Sequence, residues 1–227
     1  MAHVAVRRIG LFCGRVVPIL LILLSPALFA QEVLRGEVCI ELEQIRGFDA
    51  EETYSMDPAE ARKKGLEEAA RYYGAMIYGW SFRYEVGEKA RQIEEVLELS
   101  PLGTVAPGDP ALEVTGVQVK DFKLYLWSDY RTGGAQQYRL ARWKTGLVRS
   151  AQGYGKSSLD DKYAALEDAA RAALRSILQG GERNRPREAS GYISLAAFPR
   201  YWLDKGRWMA AGRFRVEMGE ITPFAAY

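Results

Sequence analysis

The side chains that most often do chemistry are scarce in this sequence. The single histidine is His3, and the two cysteines are Cys13 and Cys39. A serine or cysteine nucleophile normally relies on imidazole as its base near neutral pH, so Ser–His–Asp and Cys–His pairs are excluded beyond position 3. Zinc sites are built mostly from His and Cys, and the one thiol beyond residue 30, Cys39, cannot form one. No D-x-D-x-D-G calcium loop occurs, and Ser158 with Lys162 misses the S-x-x-K interval by one residue. Neither a metal nor a cofactor is expected, and no catalytic residue stands out. Carboxylate chemistry remains open, because two acids ~5–10 Å apart suffice to hydrolyse a glycoside. No spacing marks out such a pair.

One stretch comes close to a phosphate-binding loop: Ser150-Ala151-Gln152-Gly153-Tyr154-Gly155-Lys156-Ser157. In G-x-x-x-x-G-K-[ST] the glycines let backbone N–H groups wrap a phosphate and the lysine neutralises it. Here Ser150 replaces the first glycine, and no second strand ends in a metal-binding Asp. The stretch is expected to be a strand end and helix cap, with the glycines serving close packing.

Aromatic residues are the richer resource. All five Trp and all thirteen Tyr lie beyond residue 30. Tyr125, Trp127, Tyr130, Trp143, Tyr201, Trp202 and Trp208 fall on expected hairpins, where alternation puts Tyr125 and Trp127 on one face. Such rings interspersed with Arg either form a surface for protein or glycan or pack the core. Both readings stay open.

The elements that must position these residues begin after an apparent leader. Arg7, Arg8 and Arg15 precede the apolar run Val16–Leu24, and Ser25–Ala30 ends in the small residue that signal peptidase requires. The run is short of the ~20 apolar residues that span a bilayer. Cleavage after Ala30 is expected; the alternative is an uncleaved anchor lengthened by Ile9–Phe12. Loss of the three arginines takes Lys+Arg from 31 to 28 against 29 acids, so net charge moves from +2 to −1. No nucleic-acid partner and no membrane span after cleavage are expected.

The remainder contains a repeat. Leu66-Glu67-Glu68-Ala69-Ala70-Arg71 recurs as Leu166-Glu167-Asp168-Ala169-Ala170-Arg171, each within a helical pattern. The first helix opens at Asp57-Pro58-Ala59-Glu60, a capping-box arrangement. The second begins after Ser157 or Ser158 and stops at Gly180-Gly181. Alternating strands precede each helix, over 33–45 and 146–155. Hairpins follow each: 114–127 with 136–148 around 129–134, and 192–198 with 208–218 around Asp204-Lys205-Gly206.

The sequence thus predicts an α+β fold of duplicated strand–helix–strand–strand units with helices packed on an antiparallel sheet. Its organisation reads as leader 1–30, a first unit 31–148 with an insertion at 81–111, and a second unit 149–227. The arginines of 182–188 read as a solvated connector, and the aromatic C-terminus as unrelated to membrane barrels.

The stretch Leu147–Gly155 followed by Tyr163–Leu178, with Val38–Leu42 and Ala59–Ile77 as a looser second match, resembles the N-terminal domain of the flagellar assembly protein T group and related small envelope lipoproteins. The resemblance implies a non-catalytic assembly or scaffold role in the envelope. No cysteine stands at the cleavage point, unlike in the lipoproteins. The resulting expectation is an exported, periplasmic, non-enzymatic interaction or scaffold protein, serving assembly of an envelope or flagellar structure, whose partner is an envelope protein, peptidoglycan or further copies of itself. The alternative is a carboxylate-dependent hydrolase of cell-wall glycan.

Overall fold

The computed structural model describes residues 32–43, 56–88, 92–181 and 186–223. The expected leader, residues 182–185 of the connector and the last four residues lie outside them. Among the described residues the chain order is β1 (Val33–Glu41), α1 (Pro58–Ile77), β2 (Trp80–Glu85), β3 (Val96–Pro101), β4 (Leu112–Lys120), β5 (Lys123–Arg131) and α2 (Gly134–Arg142). It continues with β6 (Val148–Ser157), α3 (Lys162–Gly181), β7 (Pro186–Leu195), β8 (Arg200–Asp204) and β9 (Arg207–Pro223). The fold is α+β, with the helices packed on two antiparallel sheets.

The same path is traced twice. In the first half the path β1, α1, β4, β5 gives a sheet of order β1-β5-β4, so the first strand pairs with the last. In the second half β6, α3, β7 and β9 follow the same rule, in the order β7-β9-β6. Residues 81–111 carry more than exposed turns: β2 pairs with β7 and β3 with β2, lengthening the second half's sheet. The two halves therefore share hydrogen-bonded strands.

Two sequence expectations are corrected. The hairpin of the first half turns at Asp121–Phe122, both with positive φ (52° and 58°), and not at 129–134. Such turns are normally marked by Asn-Gly or Asp-Gly, and a phenylalanine hides the signal. The strand expected over 136–148 is helix α2. Gln136 caps it by accepting a hydrogen bond from the Gly133 N–H at 2.8 Å, and Arg139 and Arg142 complement its C-terminus. Its single buried residue, Leu140, alternates with Tyr138 in a way that imitates a strand. At α1, Pro58 occupies the first turn as expected, but Asp57 makes no side-chain capping bond. Asp161 does cap α3, accepting from the N–H groups of Tyr163 and Ala164 at 3.0 Å each.

Helices α1 and α3 each cover one sheet, by different fits. Leu34, Val38 and Ile40 of β1 and Leu124, Leu126 and Tyr130 of β5 point to the α1 side and are buried. Helix α1 meets this bulk with Ala61, Gly65 and Ala69. On β6 the inward positions are glycines. A Cβ on Gly153 would overlap the Ala169 carbonyl, and one on Gly155 the Ala165 carbonyl, so α3 lies directly on the strand. Residues 150–157 are continuous strand, which removes the phosphate-loop geometry and leaves the packing role.

An aromatic row ties the halves together. Tyr130 stacks on Tyr73 (5.3 Å, 27°), Tyr73 meets Phe198 edge-on (4.8 Å), Phe198 meets Tyr72 (5.2 Å), and Tyr72 stacks on Tyr201 (6.4 Å). Each such pair contributes ~0.5–1.5 kcal/mol beyond area burial. Phe198 enters the row from the bend between β7 and β8 and lies beneath Gly36 of β1, where a Cβ would collide with the ring.

Candidate functional site

The seven aromatic candidates divide by location. Tyr130, Trp143, Tyr201 and Trp208 are interior or nearly so. The Tyr130 hydroxyl donates to Asp109 Oδ2 (2.9 Å) and accepts from Gln136 Nε2 (2.7 Å). The Trp143 indole N–H donates to the Ile77 carbonyl (3.1 Å) and that of Trp208 to the Leu159 carbonyl (3.0 Å). The Tyr201 hydroxyl is buried with no hydrogen-bond partner among the described residues, and burial pushes its titration well above the ordinary phenol range. These four hold the fold. Tyr125, Trp127 and Trp202 remain at the surface, on the two outer sheet faces that no helix of their own half covers.

On the first sheet Tyr125 and Trp127 stack side by side (6.3 Å, 21°), and the Trp127 indole donates to Glu37 Oε2 at 3.0 Å. Every basic residue beside them on β1 and β5 is matched. Arg35 faces Asp129 (3.5 Å), Lys123 faces Glu41 (2.8 Å) and Arg131 faces Glu113 (2.8 Å). The basic residues of β1 and β5 are thus all taken up, while Lys120 of β4, opposite Lys123 on the same face, is exposed and pairs with no described residue.

The second sheet's outer face is different. Strand register places Trp202, Met209 and Lys156 in one cross-strand row, Arg200, Ala211 and Tyr154 in the next, and Arg213 and Gln152 in a third. Trp202 is 40% and Tyr154 60% exposed, and Lys156, Arg200 and Arg213 are exposed as well. None of the three cations forms an ion pair with a described residue. The Tyr154 hydroxyl accepts a hydrogen bond from Gln152 Nε2 (2.8 Å), fixing its ring. Tyr154, Lys156, Arg200 and Arg213 were missed as site residues. The signal was present, since inward Gly153 and Gly155 force Gln152, Tyr154 and Lys156 outward.

Between the helices lies a cleft. A 260 Å³ hollow is lined by Arg71, Trp80, Tyr163, Leu166, Glu167 and Phe214 among others. It adjoins a 380 Å³ hollow that shares Arg71 and Trp80 and adds Glu67. The repeated hexapeptides thus face one another, with the Arg71 guanidinium 3.7 Å above the Tyr163 ring.

A buried ion pair lies nearby. Lys162 Nζ donates to Glu68 Oε1 (2.7 Å) and to the Cys39 carbonyl (3.3 Å), and lies 4.6 Å from the Tyr201 ring centroid. Tyr72 donates to the same Glu68 oxygen (2.7 Å). Desolvation, followed by the Glu68 charge, pushes the Tyr72 phenol well up. Burial also raises the Cys39 thiol, which holds it away from the reactive thiolate. With two acceptors and the Tyr201 ring around its ammonium, Lys162 joins α3 to β1 and α1. Among the described residues no group of three His, Cys, Asp or Glu is placed to hold a metal, and no helix is long and apolar enough to cross a membrane.

Fold and surfaces together define a twice-traced α+β protein with an outer sheet face in each half, the second covered in part where Arg142 of α2 reaches Glu217 of β9 and Tyr192 of β7. A protein-family model matches residues 25–224, and the chain belongs to that family. It is similar to an uncharacterised protein of Treponema pallidum (strain Nichols), 26% identical over 158 residues, which cover 68% of this chain and 66% of that relative. The chain therefore spans just under two thirds of the relative's length. No solved structure matches. Neither match supports the resemblance to the flagellar assembly protein T group or to small envelope lipoproteins.

Proposed function

We propose that this is an exported, non-enzymatic interaction protein of the bacterial periplasm. It presents its outer sheet faces to an envelope component during assembly of an envelope structure. Trp202 carries this reading: it stands 40% exposed on a strand whose neighbouring inward residue, Tyr201, is packed into the interior. A large ring held at the surface on a rigid sheet is the kind of residue that anchors partners. Export rests on the leader pattern of residues 1–30. A photo-crosslinking residue at 127 or 202 in the full chain, expressed in cells, should give discrete adducts with envelope material. The same residue at position 138, on the exposed face of α2, should not. Identical patterns at all three positions would remove the reading.

The cleft supports a second reading, a carboxylate-dependent hydrolase acting on cell-wall glycan. Glu67 and Glu167 line adjoining hollows beside Trp80. Such an enzyme would lose turnover of a glycan substrate in Glu67→Gln and Glu167→Gln while keeping its melting temperature. Absence of hydrolysis by the unaltered chain sinks it.

A further inference from the structure

We propose that the outer face of the second sheet, across β6, β9 and β8, is a docking track for an acidic polysaccharide whose sugars carry carboxylates. This rests on the interaction-protein reading and names the partner of one of its faces.

The face is ordered by register. Trp202 on β8 and Tyr154 on β6 flank β9, which contributes Met209 and Ala211 between them. Strands lie ~4.8 Å apart and alternate residues along a strand ~6.8 Å apart, so the two rings stand on opposite corners of a shallow trough ~10 Å wide. Met209 and Ala211 are low enough to leave that trough open. Sugar rings present apolar C–H faces that stack on such aromatics, and their hydroxyls are matched by Gln152 and the Tyr154 hydroxyl.

Charge selects among sugars. Lys156, Arg200 and Arg213 lie one to each row without carboxylate partners, whereas the basic residues beside Trp127 on the first sheet are all paired. Only Asp204, at the hairpin end, brings an acid to this part of the face, and register sets it opposite Arg207. Unmatched cations on an otherwise neutral trough call for a ligand of opposite charge. On the same spacings the three cations stand ~8–14 Å from one another, a sparse ladder suited to a polymer with isolated charges. Nucleic acid is the less favoured occupant. It carries one phosphate per ~3.4 Å of each strand, and beyond residue 30 the chain carries a net charge of −1, so no broad positive field surrounds the patch.

The test is binding by the full chain, measured with polygalacturonate as carboxylated glycan, dextran as neutral glycan and a twenty-nucleotide oligo-dT. Polygalacturonate should bind at least tenfold more tightly than either of the others. Trp202→Ala and Arg213→Glu should each weaken it tenfold or more, with Tyr154→Ala as a second ring variant, while Tyr138→Ala on α2 changes it less than twofold. No binding of polygalacturonate overturns the proposal, as does oligo-dT binding as tightly. So does a loss in Arg213→Glu that neither ring variant reproduces, because ion exchange alone would explain it. If polygalacturonate fails but position 202 still crosslinks to an envelope protein in cells, the glycan track falls and the broader interaction reading stands.

Discussion

The two halves follow one path with opposite solutions at the helix–strand contact. In the first half the strand carries the bulk, Val38 and Ile40, and the helix supplies Ala61, Gly65 and Ala69. In the second half the strand supplies Gly153 and Gly155 and the helix carbonyls of Ala165 and Ala169 rest against them. A duplicated topology does not require a duplicated contact. The apolar volume can lie on either partner, provided that it fills the gap once.

The largest expected effect comes from breaking the tighter of the two contacts. Gly155→Val places side-chain atoms where the backbone of α3 lies, which no rotamer change relieves. The expected outcome is a loss of more than about 4 kcal/mol in denaturant unfolding, or no folded protein. The matching change in the first half, Gly65→Ala, should behave oppositely. Its Cβ would stand 3.2 Å from Leu126 Cδ1, the movable end of a side chain. The gain in helix propensity of up to ~1 kcal/mol offsets the squeeze. A similar large loss at both positions would contradict the difference between the halves.

Next in size is the buried ion pair between them. Lys162→Met leaves Glu68 charged and buried with only the Tyr72 hydroxyl as a donor, for an expected loss of ~3–5 kcal/mol in chemical denaturation. Phe198→Ala opens the aromatic row at its centre and should cost ~3–5 kcal/mol. In that background Gly36→Ala, harmful on its own, should become nearly neutral, since the ring it would strike is gone.

Much of this was legible in the sequence, and the failures share a cause. The paired helices, the strands before them and the packing role of Gly153 and Gly155 follow from periodicity and small-residue placement. The first hairpin did not, because Asp121–Phe122 makes a two-residue turn without the glycine that announces one, and α2 imitates alternation through Tyr138 and Leu140. The displaced hairpin also hid the fate of residues 81–111, since the joining of β2 to β7 is a contact across more than a hundred residues of chain. Whether an aromatic faced in or out depended on which sheet face each helix covers. That settled Tyr130 as an interior residue and left Trp202 outside, whereas Trp143 is interior at the end of α2, where a strand was expected.

The smallest effect concerns pH. Desolvation raises Tyr73, Tyr84 and Tyr163 from 10.0 to about 12. A phenol that holds its proton more tightly when folded contributes stability in full below its unfolded value. That contribution is lost as pH rises through 10 toward 12. Tyrosinate absorbance from Tyr73, Tyr84 and Tyr163 should therefore appear only as pH approaches 12. A single step at the ordinary value would place those rings in solvent.

The most direct test of the account sets the two outer faces against each other in the cell. Envelope fractions would be washed with salt and the retained full chain quantified for the unaltered protein, Trp127→Ala, Trp202→Ala and Arg213→Glu. The account predicts retention of the unaltered chain and release of the two second-face variants, with Trp127→Ala released less because the basic residues of its own and the neighbouring β1 strand are already paired. Equal retention of all four, or a chain that is never retained, would contradict it.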